Sequence, residues 1–213
     1  MIDLVFQGQI PLFFLIIIAL VLSLSFHEFG HAAMARLFGD DTAQRMGRLT
    51  LNPLAHLDPM GLMMVVFLGF GWAKPVPTNP NNFTSRWADF WVSAAGPLMN
   101  LVLAFVVING WVWGIAMGFE NLRAPGPYMF FLYLARINLL LMLFNLIPLG
   151  ALDGHYILPY FLTPRAAASY REFNARYGNM ALMSLLLLSF VGIPVFHYLS
   201  QLSGALLPWL VVL

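Results

Sequence analysis

The sequence predicts an all-α polytopic membrane protein with about four to five transmembrane helices and a re-entrant or extended segment between the first two spanning helices. Two observations carry that expectation. Hydrophobic residues make up 61% of the 213-residue chain and charged residues 9%, against roughly 25% charged in a soluble domain. The charges are also segregated, with none between Asp3 and Glu28, none from 90 to 119 and none from 177 to 213. A net charge of +1 leaves no concentrated basic face for a nucleic acid. The absence of cysteine excludes a disulfide framework, a thiolate nucleophile and a sulfur metal ligand. No repeat or linker divides the chain, which reads as a single domain over 1–213, with a core of 10–158 and a C-terminal helical tail of 177–213.

Residues from about Ile10 to Phe38 read as one helix of about 43 Å at 1.5 Å per residue, longer than a ~30 Å hydrocarbon core. Met1-Ile2-Asp3 lacks the basic start of a secretory leader, so this run is read as a membrane helix. Gly39-Asp40-Asp41 ends it. After a turn-rich stretch from Gly47 to Pro59, the apolar run Met60 to Trp72 falls short of the ~20 residues needed to span, and is read as re-entrant. Lys74 to Pro80 follows as an extended segment stiffened by prolines.

A second long helix is expected from about Trp91 to Met117, opening with Ala94-Ala95-Gly96-Pro97-Leu98-Met99-Asn100. Its small residues suit close helix packing, and Asn100 must find a partner in a dry place. Gly110, Gly114 and Gly118 form a GxxxG pattern on one face. The third spanning helix runs from about Tyr128 to Ile147 and is closed by Pro148. Asn138 and Asn145, seven apart, share one face of it. Leu149-Gly150-Ala151-Leu152-Asp153-Gly154-His155 follows, then a basic region with Arg165, Arg171 and Arg176. The tail is read as one crossing or two half-helices, with breaks expected at Gly192-Ile193-Pro194 and at Pro208.

The chemistry is concentrated in His27-Glu28-Phe29-Gly30-His31, an HExxH motif inside the first apolar helix. Four residues apart, the two histidines lie on one face about 6 Å apart along the axis, which lets both imidazoles hold one zinc ion. Glu28 then stands beside the metal as the group that takes a proton from the attacking water. Ionisable groups at this depth are costly to bury and point to function. Both histidines lie some 10 to 17 Å from the helix end by the same rise per residue.

A catalytic zinc has three protein ligands and one open position, and the candidates for the third are Asp153, His155, His56, Asp58 and His197. Eight of the ten basic residues lie in the loops containing Arg36, Arg45, Arg48, Lys74 and Arg86 and in the one with Arg165, Arg171 and Arg176. The positive-inside rule puts both loops on the cytoplasmic side. If the short apolar run turns back, Asp153 finishes on the same side as the end of the HExxH helix. His56, Asn100 and Asn138 are the candidates for contacting a substrate or an oxyanion. Unwound substrate could add as a strand to an edge supplied by Lys74 to Pro80 or by Leu49 to Leu51.

At this point the chain resembles the site-2 proteases, intramembrane zinc metalloproteases of peptidase family M50. The likeness rests on His27-Glu28-Phe29-Gly30-His31, on Gly96-Pro97-Leu98-Met99-Asn100, and on Phe144-Asn145-Leu146-Ile147-Pro148 leading to Leu152-Asp153-Gly154. It is closest to the small form without PDZ or CBS domains. The resemblance implies one Zn2+ per chain on His27, His31 and Asp153, Glu28 as general base, and Asn145 near the scissile carbonyl. It implies hydrolysis of peptide bonds within or near the transmembrane segments of a membrane protein or a remnant peptide. It also implies an integral protein of the cell (inner) membrane with its active site towards the cytoplasm. One departure stands out, because Leu149-Gly150-Ala151 occupies a place where the family often has prolines. The rival classes are a membrane metal transporter or sensor, which would need the ligands but not Glu28, and a catalytically inactive protease-like scaffold. CAAX-type membrane proteases take a glutamate as third ligand, and Glu120 and Glu172, the only glutamates after His31, sit in no second polar motif.

Overall fold

The structure is a computed structural model describing residues 1–192 and 195–212, with 190 and 191 described by backbone alone. Three helices are long and apolar enough to cross a membrane: α2 (Ile10–Leu37), α6 (Ala88–Ala116) and α7 (Pro125–Asn145). A short α1 (Ile2–Phe6) precedes them. The expectation of an all-helical membrane fold holds, with no strand among the described residues. Of the tail, α10 (Asn179–Val191) and α11 (Val195–Leu210) have 13 and 16 residues, fewer than the ~20 of a full span. The tail is thus two helices. The break expected at Gly192-Ile193-Pro194 falls partly outside the described residues, and Pro208 lies inside α11 and does not end it.

α2 is apolar all round, as a helix in lipid must be. Its buried positions are small or polar, including Ala19, Ser23, His27, Gly30 and Ala35. That stripe lets α6 approach closely: a Cβ on Gly30 would strike the Ala95 backbone, and one on Gly96 would strike the His27 and His31 rings. α7 packs along both. Ala104, Ile108, Ala135, Leu139 and Leu207 form the apolar core between α6, α7 and α11. Among the described residues the GxxxG pattern does not form a face packed on another long helix: Gly114 is buried with Leu122 pressed close to it, a Cβ on Gly110 would meet open space, and Gly118, at φ 89°, belongs to the turn that follows α6.

Between α2 and α6 lie α3 (Thr42–Arg45), α4 (Pro53–His56) and α5 (Pro59–Leu68). Asn52 and Asp58 cap α4 and α5, each with proline in the first turn. Gly69, left-handed at φ 82°, ends α5. The chain then doubles back. The backbones of Gly71 and Trp72 lie so close to Gly61 that neither glycine has room for a Cβ, and Lys74 N–H donates to the His56 carbonyl at 2.8 Å. The apolar run therefore turns back, as its length requires.

The far end of this segment is tied to the end of α2 by Asp40, which is fully buried. Its carboxylate accepts from Thr42 N–H (3.1 Å), Thr42 Oγ1 (2.5 Å), Asn79 N–H (2.6 Å) and Asn82 Nδ2 (2.9 Å). Burial pushes the Asp40 carboxyl up, but these four hydrogen bonds outweigh it and hold the group below the usual carboxylate range. A depressed native pKa stabilises the fold above the unfolded value and loses that contribution as pH falls through the native one. Asp40→Asn should therefore lower the melting midpoint in detergent at neutral pH, by about 1–3 kcal/mol for a lost charge-assisted acceptor. The gap between variant and wild type should close on acidification. An equal gap at all pH values would show that the carboxylate charge is not what these donors require.

Candidate metal centre

His27 and His31 stand one turn apart on α2, and each imidazole is oriented through Nδ1. His31 Nδ1 lies 2.7 Å from the Val92 carbonyl oxygen, which can only accept, so Nδ1 carries the proton. Val92 sits on α6, five residues before Pro97. His27 Nδ1 lies 2.7 Å from Asn100 Oδ1. The orientation of that amide is settled by its own partners: Asn100 Nδ2 donates to the Ser23 carbonyl (3.1 Å) and to Asn138 Oδ1 (2.8 Å). Asn138 Nδ2 in turn donates to Ser23 Oγ (2.8 Å) and the Leu134 carbonyl (2.8 Å), and Ser23 Oγ donates to the Ala19 carbonyl (2.7 Å). Every donor in this buried network is used, so His27 is also protonated on Nδ1.

Both Nε2 atoms are therefore bare lone pairs, and they face each other at 3.0 Å. Asp153 completes the group from the start of α8 (Asp153–Ile157). Its Oδ2 lies 3.3 Å from His27 Nε2 and its Oδ1 3.3 Å from His31 Nε2, and Oδ2 is buried with no hydrogen-bond partner. Acceptors without donors repel, so the cluster calls for a cation. The residues fit zinc: with bonds of about 2.0–2.2 Å, tetrahedral ligand atoms lie about 3.3–3.6 Å apart. His27, His31 and Asp153 are the group among the described residues with one ligand atom each within 4.8 Å of the others.

The loop before Asp153 is held by α9, the turn after it and the first turns of the tail. Gly150 takes the left-handed conformation (φ 61°). Its N–H donates to Asn174 Oδ1 at 2.9 Å, and its carbonyl accepts from Asn174 Nδ2 at 3.0 Å. Asn174 lies in a π-helical turn, residues 174–178, joining α9 (Pro164–Phe173) to α10. Tyr170 Oη donates to the Pro148 carbonyl at 2.9 Å. Leu182 and Leu186 of α10 pack on Leu152. A side-chain clamp thus does the work of the missing prolines, and nothing in the local sequence announces it.

The other candidates divide. Glu28 is buried beside the cluster, with Oε2 accepting from Val76 N–H at 3.0 Å and its second oxygen unpartnered among the described residues. Asn145 is half-buried at the end of α7, with Nδ2 bonded to the Leu141 carbonyl at 3.0 Å. Asn100 and Asn138 are fully buried behind His27 with their amides engaged, Asn100 directly on the imidazole. His56 is buried as well, its Nε2 donating to the Thr50 carbonyl at 2.8 Å and Nδ1 facing Arg48 Nη2 at 3.4 Å. Asp58 caps α5, and His197 pairs with Gln201 on α11. His155 turns to Tyr170 Oη at 3.3 Å, and burial with nearby Arg171 holds its imidazole below the usual range against the pull of Asp89.

The family model described as peptidase family M50 matches residues 15–114 and 110–189. The chain belongs to this family. It is 43% identical over 173 residues to the Bacillus subtilis protein named "Putative zinc metalloprotease YwhC", across 80% of this chain and 78% of that one. Proteins named "Putative zinc metalloprotease Rip2" from Mycolicibacterium smegmatis and Mycobacterium tuberculosis are 33% and 32% identical. They align with 78% and 76% of this chain, which spans 66% and 63% of their lengths. No solved structure matches. With three apolar helices of spanning length, this M50 protein is an integral membrane zinc metallopeptidase acting on membrane proteins.

Asn100→Leu should leave His27 Nδ1–H unpaired in the core and release the ring. Removing such an outer partner weakens metal affinity by about 10–100-fold, to be read by zinc competition with a chelator. Gly96→Ala should abolish zinc binding, because its methyl occupies the space of the His31 ring. Unchanged affinity in both would mean that the rings are oriented by something else.

Proposed function

We propose that His27, His31 and Asp153 hold the catalytic zinc of this M50 peptidase and that Glu28 is its general base, with Asn145 near the scissile carbonyl. The observation that carries this reading is the convergence of two unprotonated Nε2 atoms and a carboxylate beside a second, unshared carboxylate. A zinc ion held by His27, His31 and Asp153 would supply Lewis acidity to the scissile carbonyl and to a bound water. Glu28, one oxygen restrained by Val76 N–H and the other free, takes the proton of the attacking water and delivers it to the departing amine. Asn145 has a free amide oxygen and an N–H to offer the substrate backbone.

The substrate is the transmembrane segment of a membrane protein, or the remnant left by an earlier cut, and its helix has to unwind before the peptide bond can be attacked. The segment from Lys74 to Pro80 receives it as an added strand. The Val76 carbonyl and the Thr78 N–H and carbonyl have no partner among the described residues, whereas Thr50, in the alternative stretch, already gives its carbonyl to His56. The clustering of eight of ten basic residues in two regions, with the intervening apolar run folded back, supports an active site on the cytoplasmic side of the cell membrane. Residues 1–213 act as one domain, core 10–158 carrying the chemistry and tail 177–213 bracing the Asp153 loop.

Glu28→Gln should keep its zinc and lose cleavage of single-span substrates by about 10²–10⁴-fold. Asp153→Ala should lose zinc and cleavage together, while His155→Ala keeps both. Metal analysis of the purified variants beside a cleavage assay reads all three. Zinc retained by Asp153→Ala and lost by His155→Ala would overturn the ligand assignment.

A further inference from the structure

We propose that Arg48 is a positioning residue for Glu28, acting through the peptide unit that joins Pro75 to Val76; this rests on Glu28 being the general base. Arg48 follows α3 in a loop and is buried, with no carboxylate within ion-pair distance among the described residues. An unpaired guanidinium out of water is costly and calls for a reason. Two of its nitrogens donate to backbone, Nη1 to the Pro75 carbonyl at 3.1 Å and Nη2 to the Lys74 carbonyl at 2.5 Å, while Nε is buried with no partner among the described residues. Nη2 also faces His56 Nδ1 at 3.4 Å, and that atom is a bare acceptor because Nε2 donates to Thr50.

A peptide unit is planar, and the Pro75–Val76 bond is trans, so its carbonyl and its N–H point in opposite directions. The carbonyl rests on Arg48, while the N–H rests on Glu28 Oε2 at 3.0 Å. A cation and a carboxylate therefore sit at the two ends of one peptide dipole and orient it jointly. Pro75 and Pro77 fix φ on either side of Val76, so rotation of this plane is the main freedom left to the segment. Arg48 removes it. The fork geometry matters, because two adjacent carbonyls are held by one planar group, which a lysine ammonium on a flexible stem does not reproduce. Burial lowers the Arg48 guanidinium pKa and the Glu28 charge raises it, so the two groups interact electrostatically across the peptide.

The test uses the full chain, zinc-loaded in detergent micelles and labelled with [15N]valine, with the Val76 amide identified by its absence in Val76→Ile. In Glu28→Gln and in Arg48→Met that amide proton should exchange faster by about tenfold, the loss of one hydrogen bond to a charged group. Zinc content should stay unchanged in both. On a fluorogenic panel of single-span peptides, Arg48→Met should lower kcat by about 10²-fold with KM shifted less than about threefold, as for a misplaced catalytic group. Arg48→Lys should fall between, and carries the test if Arg48→Met does not fold. Replacing Val76 by α-hydroxyvaline removes the N–H that Glu28 accepts and turns the Pro75 carbonyl into an ester carbonyl, a weaker acceptor for Arg48. It should reproduce the kcat loss, and its combination with Arg48→Met should be no slower than either alone. Unchanged Val76 exchange in the Arg48 variants, a change in KM alone, or additive losses would overturn the proposal. Full activity in Glu28→Gln would instead sink the general-base assignment, whereas an inactive Glu28→Gln beside a fully active Arg48→Met sinks the positioning role alone.

Discussion

An imidazole buried in a bilayer has two nitrogens to satisfy and no water to satisfy them, and the way the first is satisfied governs this molecule. His27 and His31 both give their Nδ1 protons to α6, one to a side chain and one to a main-chain carbonyl. That demand sets the distance between α2 and α6 and explains why Gly30 and Gly96 face each other's helix with no space for a Cβ. It also explains why the buried stripe of α2, apart from His27 and Glu28, is made of alanine, serine and glycine, with no leucine. Packing of small residues and hydrogen bonding are here the same requirement, because apolar association alone has no driving force between helices in lipid. Asn138 extends the network to α7, so the three helices of spanning length are joined by one chain of hydrogen bonds that ends on His27, a proposed metal ligand.

The third corner depends on a different part of the chain. Asp153 stands after a glycine turn that has no regular secondary structure to hold it, and both polar groups of Gly150 are taken by Asn174. The apolar contacts of Leu152 with Leu182 and Leu186 press the same loop from outside. The tail is therefore part of the site's support even though it carries none of the site's chemistry.

Much of this was legible in the residues. HExxH announces itself because helical periodicity converts a spacing of four into a shared face, and a glutamate in an apolar helix has no cheap explanation. The three long helices follow from charge-free runs, and the return of the chain after Met60 follows from a run too short to cross. What could not be read were the long-range side-chain contacts. Asn100 looks equally suited to a substrate or to an imidazole, and only the position of α2 beside it decides. His56, between two prolines, has the composition of a reactive group, yet its ring is consumed by Thr50 and Arg48. Arg48 and Asn174 bond to carbonyls and N–H groups whose positions depend on tertiary structure, and no spacing rule reaches them. The GxxxG pattern misleads for the converse reason: it is a local signature whose partner helix does not arrive.

The segment from Lys74 to Asn79 shows how a non-helical backbone can find its partners without a sheet. An extended backbone needs partners for its N–H and carbonyl groups, and within lipid an unpaired edge is excluded. Here side chains stand in for neighbouring strands: Arg48 takes the carbonyls of Lys74 and Pro75, Glu28 takes the N–H of Val76, and Asp40 takes that of Asn79. Two prolines delete further donors. The groups left over, at Val76 and Thr78, are those a substrate strand would need, and they follow directly on the amide that holds the proposed general base. On that reading, unwinding the substrate and aligning it with Glu28 are one event, because the backbone groups freed from the substrate helix find their partners on the same short stretch that restrains the carboxylate.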